Sequence, residues 1–243
     1  MKNAKNLFGY DSLAFFGRVN ASISHELKNI MAIISETAGL LSDLSEMAST
    51  GTPVDPDMLK NSADSIMEEI QRGFTTIRQM NRFSHSVDAP IVSVDLTELL
   101  DMMCNLSTYL AFSGTVRLAP QEGSQQLVET CPFILQAVIY EILVQHFKNA
   151  GPDSELDIAV RSRPDSGWNI VFSGMRIGDY QVFPGDRLKK DASSIHVAIQ
   201  WDRANDDHLE LHVPAAIRPG ALDDDSNQRK SDGGAASFGM GAT

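Results

Sequence analysis

The sequence has little of what marks several common protein classes. It has only two cysteines, Cys104 and Cys131, and no CxxC pair, so we expect reduced core residues and no metal or redox centre. No apolar run approaches the about 18 residues that cross a bilayer, and residues 1–13 lack the apolar stretch of a secretion signal. The net charge is −12 without a long basic run, which disfavours nucleic acid and anionic membranes as partners. We therefore expect a cytoplasmic protein whose input comes from another molecule.

Two stretches near the start of the chain carry apolar side chains at helical spacing. The first stretch covers residues 8–48, and its apolar stripe is Phe16, Val19, Ile23, Leu27, Ile30, Ile34 and Leu41. The second follows a turn and has the stripe Leu59, Ala63, Ile66, Ile70, Phe74, Ile77 and Met80. These patterns predict two long amphipathic helices.

The segment between the two stretches, residues 49–57, collects Gly, two Pro and Asp and predicts a turn. Asp55 before Pro56 is typical of an N-cap followed by proline at the first helical position. The two helices then form an antiparallel hairpin over residues 1–88. Because a lone hairpin of this length leaves apolar surface exposed, we expect a homodimer that forms a four-helix bundle.

The pattern of apolar and polar residues changes after Ala89-Pro90. Residues 89–218 mix short alternating runs with apolar-striped helices, which predicts an α/β sandwich domain and makes the whole chain α+β. The predicted elements are helices at Leu96–Leu110, Phe133–Lys148 and Ser194–Arg203, and strands at Val116–Leu118, Leu127–Glu129, Leu156–Arg161, Trp168–Phe172 and Leu209–Val213. Residues 219–243 are polar and rich in Gly and Ser, which predicts a disordered tail.

His25 lies on the first predicted helix, on the side away from its apolar stripe, and is expected to point into solvent. A neutral imidazole nitrogen is a nucleophile near neutral pH, so an exposed histidine can carry a phosphoryl group. Glu26 is placed to hold the proton of the other ring nitrogen, and Lys28 to approach phosphoryl oxygens. Asn29, one turn along, is placed to position a water molecule or a partner's acyl phosphate. A surface histidine without any role is the alternative.

The stretch FFGRVNASISHELKNIMAIISETAGLL resembles the phosphoacceptor box of bacterial sensor histidine kinases. In that family the Ser-His-Glu-Leu-Lys/Arg motif lies on the first helix of a dimeric hairpin. The resemblance covers about the first 85 residues, although Ile30 stands where the family often has proline. It implies that His25 takes the phosphoryl group, that Glu26 assists, and that Asn29 helps to dephosphorylate the partner.

The rest of the chain is similar to the ATP-binding domain of the same family in the order of its elements, but its motifs depart from the family's. The family's Asn-x-x-x-Asn-Ala helix motif matches residues 141–146, where Glu141 and Gln145 replace the asparagines. The Asp-x-Gly-x-Gly motif matches residues 173–177, where serine replaces the acid and Met175 and Ile177 replace the glycines. Residues 178–218 contain no Gly-x-Gly segment that would offer backbone amides to phosphates. We therefore expect a degenerate domain without a nucleotide site.

Three other groups of residues have simpler explanations than a functional site. His208, Glu210 and His212 share one face of a predicted strand and form a possible zinc set, but a solvated surface is the favoured interpretation. The segment Asp186–Asp191, DRLKKD, is either a phosphate-contacting loop or, as favoured here, an exposed turn, because acids bracket its cations. Met102, Met103 and Met175 are expected to fill the core.

These observations predict a histidine phosphotransferase that moves a phosphoryl group between the aspartates of response-regulator receiver domains through His25. It would need no cofactor of its own, because the receiver brings Mg²⁺. The first alternative is an ATP-dependent sensor histidine kinase with a diverged nucleotide site. The second is a non-catalytic dimeric regulator that binds a partner, and a receiver phosphatase that uses Asn29 is a further variant.

Overall fold

The computed structural model of the chain describes residues 10–106, 114–120, 125–151, 153–164, 167–178, 182–202 and 208–217. It begins with two long helices, α1 (Tyr10–Ser49) and α2 (Pro56–His85). The side chain of Asp55 accepts a hydrogen bond from the backbone N–H of Asp57 at 3.0 Å and caps α2, with Pro56 at its first position. The two predicted helices and the turn between them are thus confirmed.

Contacts between α1 and α2 show that the two helices run antiparallel. Near the turn-distal end, the rings of Phe16 and Phe83 stack with centroids 5.4 Å apart. Closer to the turn, Gly73 of α2 faces Ile30 of α1, whose Cγ2 lies 3.7 Å from the place that a Cβ would take. Positions that rise along α1 therefore meet positions that fall along α2.

The two helices differ in how their apolar stripes are used. In α1, Val19, Ile23 and Ile30 are buried as expected. In α2, the buried residues are mostly small, namely Ser62, Gly73, Thr76 and Phe83. Several members of its apolar stripe stay exposed instead, namely Leu59, Phe74 and Ile77. Small residues let the two helices approach closely, so part of the stripe of α2 is left facing solvent, whereas Met80 packs against the core.

The remaining chain alternates strands and helices. Its helices are α3 (Leu96–Leu106), α4 (Pro132–Asn149) and α5 (Asp186–Ser194). Its strands are β1 (Val92–Asp95), β2 (Gly114–Leu118), β3 (Leu127–Thr130), β4 (Ser154–Ser162), β5 (Trp168–Ser173), β6 (Ala198–Trp201) and β7 (His208–Val213). Strands β1 and β3 pair antiparallel, and the other five form a mixed sheet in the order β2-β4-β5-β7-β6, in which only β2 and β4 are parallel. The described chain is therefore α+β, with N-terminal helices and a mixed sheet.

One hydrophobic core joins both parts of the chain. Ile139 and Leu143 of α4 and Ile170 of β5 are completely buried, as the alternating and helical patterns predict. Phe15 and Val19 of α1 belong to the same cluster of buried side chains. The first half of α1 is therefore packed against the α/β layer. The methionines Met102, Met103 and Met175 lie in this core, as expected.

Two sequence predictions near the end of the described chain are wrong. The helix predicted at Ser194–Arg203 is wrong, because α5 ends at Ser194 and Ala198–Trp201 is strand β6, which pairs antiparallel with β7. The segment Asp186–Asp191 is not a turn but the beginning of α5, whose Leu188 and Ala192 are buried one turn apart. The strand β1 was missed because four residues give too short a pattern to recognise.

The last described segment is held by strand β3. The backbone N–H of Glu129 donates to the carbonyl of Ala215 at 2.8 Å, and the N–H of Ile217 donates to the carbonyl of Glu129 at 3.0 Å. Ile217 is buried. The segments predicted at 107–110 and 219–243 lie outside the described residues. Among the described helices, none is long and apolar enough to cross a membrane.

Candidate functional site

His25 lies near the middle of α1 and is exposed, as its helical position predicts. The neighbouring Ser22 is buried, and its hydroxyl donates a hydrogen bond to the carbonyl oxygen of Leu106 at 3.2 Å. Ala21 and Lys28, which flank the ring at the surface, are exposed. A partner can therefore approach the imidazole from solvent along a side of α1 that also carries a cation.

Asn29 is the residue that contacts the imidazole ring. Its Nδ2 lies 3.3 Å from Nδ1 of His25, one helical turn away. An amide side chain offers a donor and an acceptor, and a half-turn about its last torsion exchanges them. Asn29 can therefore meet Nδ1 in either protonation state of that nitrogen, and Nε2 takes no part in this contact.

The carboxylate of Glu26 turns away from His25 toward α2. Its Oε1 accepts hydrogen bonds from Nε and NH2 of Arg72, at 2.9 and 2.5 Å. The remaining terminal nitrogen of Arg72, NH1, donates to both carboxylate oxygens of Glu69 at 3.0 Å. The expectation that Glu26 holds a ring proton is thus wrong in this structure, because consecutive helical positions point in different directions and Arg72 offers a fixed fork of donors. The side chain that contacts the ring is that of Asn29, through Nδ2.

A pocket of about 220 Å³ opens between α1, α4 and α5. Its wall includes Glu141 and Gln145, which the sequence comparison aligned with the two asparagines of a nucleotide-binding helix. The Nε2 of Gln145 donates to Oε1 of Glu141 at 3.0 Å, so the two side chains bond to each other. The other lining residues are Phe15, Arg18, Ala137, Tyr140, Val182, Phe183, Gly185, Arg187, Leu188 and Asp191.

The contribution of α1 to this pocket was missed by sequence reasoning. The guanidinium of Arg18 lies 5.9 Å from the ring centroid of Tyr140, within range of a cation–π contact. Phe15 packs against the same ring. Arg187 and Asp191 reach the pocket from α5, so part of the DRLKKD segment lines a cavity. An apolar stripe predicts that one side of a helix is buried, but it does not identify the element against which that side packs.

The segment after β5 fills the region where the family motif has glycines. Met175 is buried, and Ile177 is half-buried against the core. Gly174 has φ +86, and a Cβ there would lie 2.4 Å from the carbonyl oxygen of Glu155. Glycine is therefore required at this position by the backbone conformation at the end of β5, where a Cβ would not fit.

His146 is completely buried next to this segment, at the position after Gln145 in α4. Its Nδ1 accepts a hydrogen bond from the backbone N–H of Arg176 at 3.1 Å. Burial, assisted by the positive charge of Arg176, lowers the pKa of His146 to about 4. The ring is thus neutral at physiological pH and serves as an acceptor that holds the segment in place.

The three residues considered for zinc bond to one another. The carboxylate of Glu210 lies between the imidazoles of His208 and His212, with O···Nε2 distances of 3.0 and 3.3 Å. The hydrogen bond with His208 is the main reason why the pKa of Glu210 is lowered. Within the described ranges, no group of His, Cys, Asp and Glu is arranged to hold a metal ion.

The two cysteines have surroundings that suit unreactive thiols. Cys131 is buried and Cys104 is half-buried, and both are free. Burial raises the pKa of Cys104 to about 12, so its thiol is protonated at neutral pH.

Comparison with known proteins gives structural likeness only. No family model matches the chain, and no curated protein matches it. Similar solved structures include the histidine kinase AdeS of Acinetobacter baumannii, with 8% identity, a TM-score of 0.43 and coverage of 74% of this chain and 95% of that one. The histidine kinase domain of the blue-light activated kinase EL346 of Erythrobacter litoralis has 10% identity, a TM-score of 0.43 and coverage of 74% and 96%. The mycobacterial sensor histidine kinase MprB has 14% identity, a TM-score of 0.40 and coverage of 52% and 99%.

These neighbours are histidine kinases, the same family that the motif around His25 resembles. Because the identities and TM-scores are low, the likeness assigns no activity to this chain. The chemistry of its own residues has to carry the functional argument.

Proposed function

We propose that the chain is a phosphotransfer protein of two-component signalling in which His25 is the phosphoacceptor. The observation that carries this proposal is an exposed imidazole on a long helix, contacted at Nδ1 by an amide one turn away. The amide of Asn29 fixes the ring while leaving Nε2 for reaction. The surrounding Ser-His-Glu-Leu-Lys-Asn box supports the same role.

The transfer from a receiver domain would proceed by in-line displacement. The lone pair of His25 Nε2 attacks the phosphorus of an aspartyl phosphate, an N–P bond forms, and the P–O bond to the aspartate breaks so that its carboxylate leaves. The proton stays on Nδ1, and this N–H group donates a hydrogen bond to Oδ1 of Asn29 once the amide has turned. A second receiver's aspartate then takes the phosphoryl group by the reverse step. Mg²⁺ would come with the receiver, and positioning would supply most of the acceleration.

Three observations favour a receiver over ATP as the phosphoryl donor. The pocket of about 220 Å³ is below the roughly 300–1,000 Å³ typical of small-molecule sites. Glu141 places a carboxylate where the related helix has an amide, and a carboxylate repels phosphates. Met175 and Ile177 stand at the positions of the motif's two glycines, and both side chains pack in or against the core.

An ATP-dependent histidine kinase is the second candidate, and one geometric relation favours it. Arg18, in the wall of the pocket, lies seven residues before His25 and therefore on nearly the same side of α1. The two positions are about 10 Å apart along the helix axis. A ligand in the pocket would thus lie on the side of α1 that carries the phosphoacceptor.

We further propose that the chain is a homodimer built through α2. Phe74 is 54% exposed and Met67 57% exposed, and together with Leu59 and Ile77 they form an outward apolar face. Joining two such faces about a two-fold axis would cover them in a four-helix bundle. Sedimentation of the wild type and of Phe74→Ser tests this arrangement. A dimer that loosens in the variant supports it, whereas a monomeric wild type contradicts it.

The function is tested by labelling with two donors. Wild-type protein, His25→Ala and His85→Ala are incubated either with a ³²P-labelled receiver domain or with [γ-³²P]ATP and Mg²⁺. His85 is a matched control, because it is an exposed histidine of the same hairpin. We expect labelling from the receiver in the wild type and in His85→Ala and none in His25→Ala.

The other outcomes separate the alternatives. Label from ATP alone at His25 would establish the kinase. Label that persists in His25→Ala would remove His25 from the mechanism. If neither donor labels the protein, the remaining explanation is a non-catalytic regulator that binds a partner.

A further inference from the structure

The ion pair between Glu26 and Arg72 joins the two helices beside the proposed phosphoacceptor. Arg72 donates hydrogen bonds to Glu26 through two nitrogens and to Glu69 through the third, so all three guanidinium nitrogens are engaged. The side chain of Glu26 is 29% exposed and that of Glu69 is 15% exposed, so these two ion pairs of Arg72 are partly shielded from solvent. Arginine suits this position because its planar donors fix the direction of each carboxylate.

Without Arg72, the carboxylate of Glu26 would be free to move toward His25, its neighbour in the chain. A negative charge close to an imidazole favours the protonated ring, which has no lone pair for attack. It would also repel the incoming phosphoryl group, which carries negative charge itself. The acid next to a histidine nucleophile is therefore harmful unless its charge is matched and its position is fixed.

We propose that Arg72 is a positioning residue for phosphotransfer, which holds Glu26 against α2 and away from His25 so that Asn29 alone orients the ring. This inference rests on the proposed role of His25 as the phosphoacceptor. It means that α2, through Arg72, contributes to the phosphotransfer reaction at His25 of α1.

The charge around the site is consistent with such a function. On α1, the charged residues within one turn of His25 are Glu26 and Lys28. On α2, the charged residues at or next to this level are Glu69, Arg72 and Arg78. Arg72 is the cation that pairs with both Glu26 and Glu69, and removing it leaves these two carboxylates without that partner.

The test measures phosphotransfer from a ³²P-labelled receiver to the wild type, Arg72→Gln and Arg72→Gln/Glu26→Gln between pH 5.5 and 8.5. Dividing each rate by the wild-type rate at the same pH removes the receiver's own pH dependence. For Arg72→Gln we expect the midpoint of the rate profile to move up by about half a pH unit, the effect of one charge about 5 Å away in water. The rate at pH 6 would then fall about threefold, with little change at pH 8.5.

Controls separate this role from a structural one. Lys60→Gln removes another exposed cation of α2, about 18 Å along the helix from Arg72, and should leave the profile unchanged. The double variant should return to the wild-type midpoint, because the freed carboxylate is gone. Arg72→Lys should restore most of the profile. An unshifted profile in Arg72→Gln, or a double variant shifted as far as the single one, overturns the inference.

A second measurement does not depend on transfer. The titration of the His25 ring, followed by NMR, should have a higher midpoint in Arg72→Gln than in the wild type, and an equal midpoint overturns the inference. Failure of the proposed function looks different. In that case His25→Ala would still be labelled, or the wild type would not be labelled at all, whatever stands at position 72.

Discussion

The ring of Phe15 in α1 packs against the ring of Tyr140 in α4, with centroids 5.2 Å apart and planes tilted by 57°. Phe15 also meets Phe133 of α4 at 5.2 Å and Phe83 of α2 at 5.6 Å. A single aromatic side chain thus connects both helices of the hairpin to the α/β layer. Since one cluster holds both parts, they are expected to unfold together.

Phe15→Ala should therefore lower the free energy of unfolding by about 3–5 kcal/mol, since it leaves a cavity among aromatic rings. Urea unfolding followed by circular dichroism measures this change. Leu13→Ala is the matched control, because Leu13 is 69% exposed on the same helix and should change the free energy by less than about 0.5 kcal/mol. Similar values for the two variants would contradict the shared core.

Gly174→Ala should destabilise the protein by about 2 kcal/mol or more, because φ +86 strains an L-residue and the added Cβ would overlap the carbonyl of Glu155. Gly39 in α1 offers the opposite control. A Cβ there meets nothing within 4 Å, so Gly39→Ala should raise stability by up to about 1 kcal/mol. Thermal unfolding of both variants measures the difference. A tolerated Gly174→Ala would show that the strand end can adopt another backbone conformation.

The stability of the protein should fall as the pH drops from about 6.5 toward 4. The pKa of His146 is about 4 in the folded protein and about 6.5 when unfolded, so in this range the unfolded chain binds more protons. Between pH 7.5 and 5 we expect this residue to account for a loss of about 1–2 kcal/mol in the free energy of unfolding. Urea unfolding at the two pH values measures it.

The same measurement on two variants assigns the effect. His146→Gln keeps a side-chain acceptor but cannot titrate, so its stability should depend less on pH. His25→Gln removes an exposed histidine and should behave like the wild type. An unchanged pH dependence in His146→Gln would rule out His146 as its source.

Asn29→Leu should slow phosphotransfer to His25 about five- to tenfold, the usual value of one hydrogen bond, because nothing then holds the ring at Nδ1. Asn61→Leu, at an exposed position of α2, is the matched control and should transfer at the wild-type rate. Initial rates of label transfer from a phosphorylated receiver measure both. Equal rates in all three proteins would mean that the amide does not orient the ring.

Helical periodicity was sufficient to predict the hairpin and the exposure of His25, because both depend on residues close in sequence. It did not predict the partner of Glu26, since Arg72 is 46 positions away and their contact depends on how α2 rotates against α1. The same rotation of α2 leaves several members of its apolar stripe, namely Leu59, Phe74 and Ile77, exposed to solvent. Strand β6 was taken for a helix because four residues do not settle a period, and its pairing with β7 decided the outcome.

The backbone hydrogen bonds of Glu129 determine where the C-terminal part of the chain can be truncated. Because its backbone bonds to Ala215 and Ile217 on both sides, a truncation after residue 213 would remove a pair of hydrogen bonds and uncover the side chains beneath Ile217. A truncation after residue 217 would leave this clamp whole. Position 217 is therefore the earliest end of the chain that keeps both hydrogen bonds and the buried side chain of Ile217.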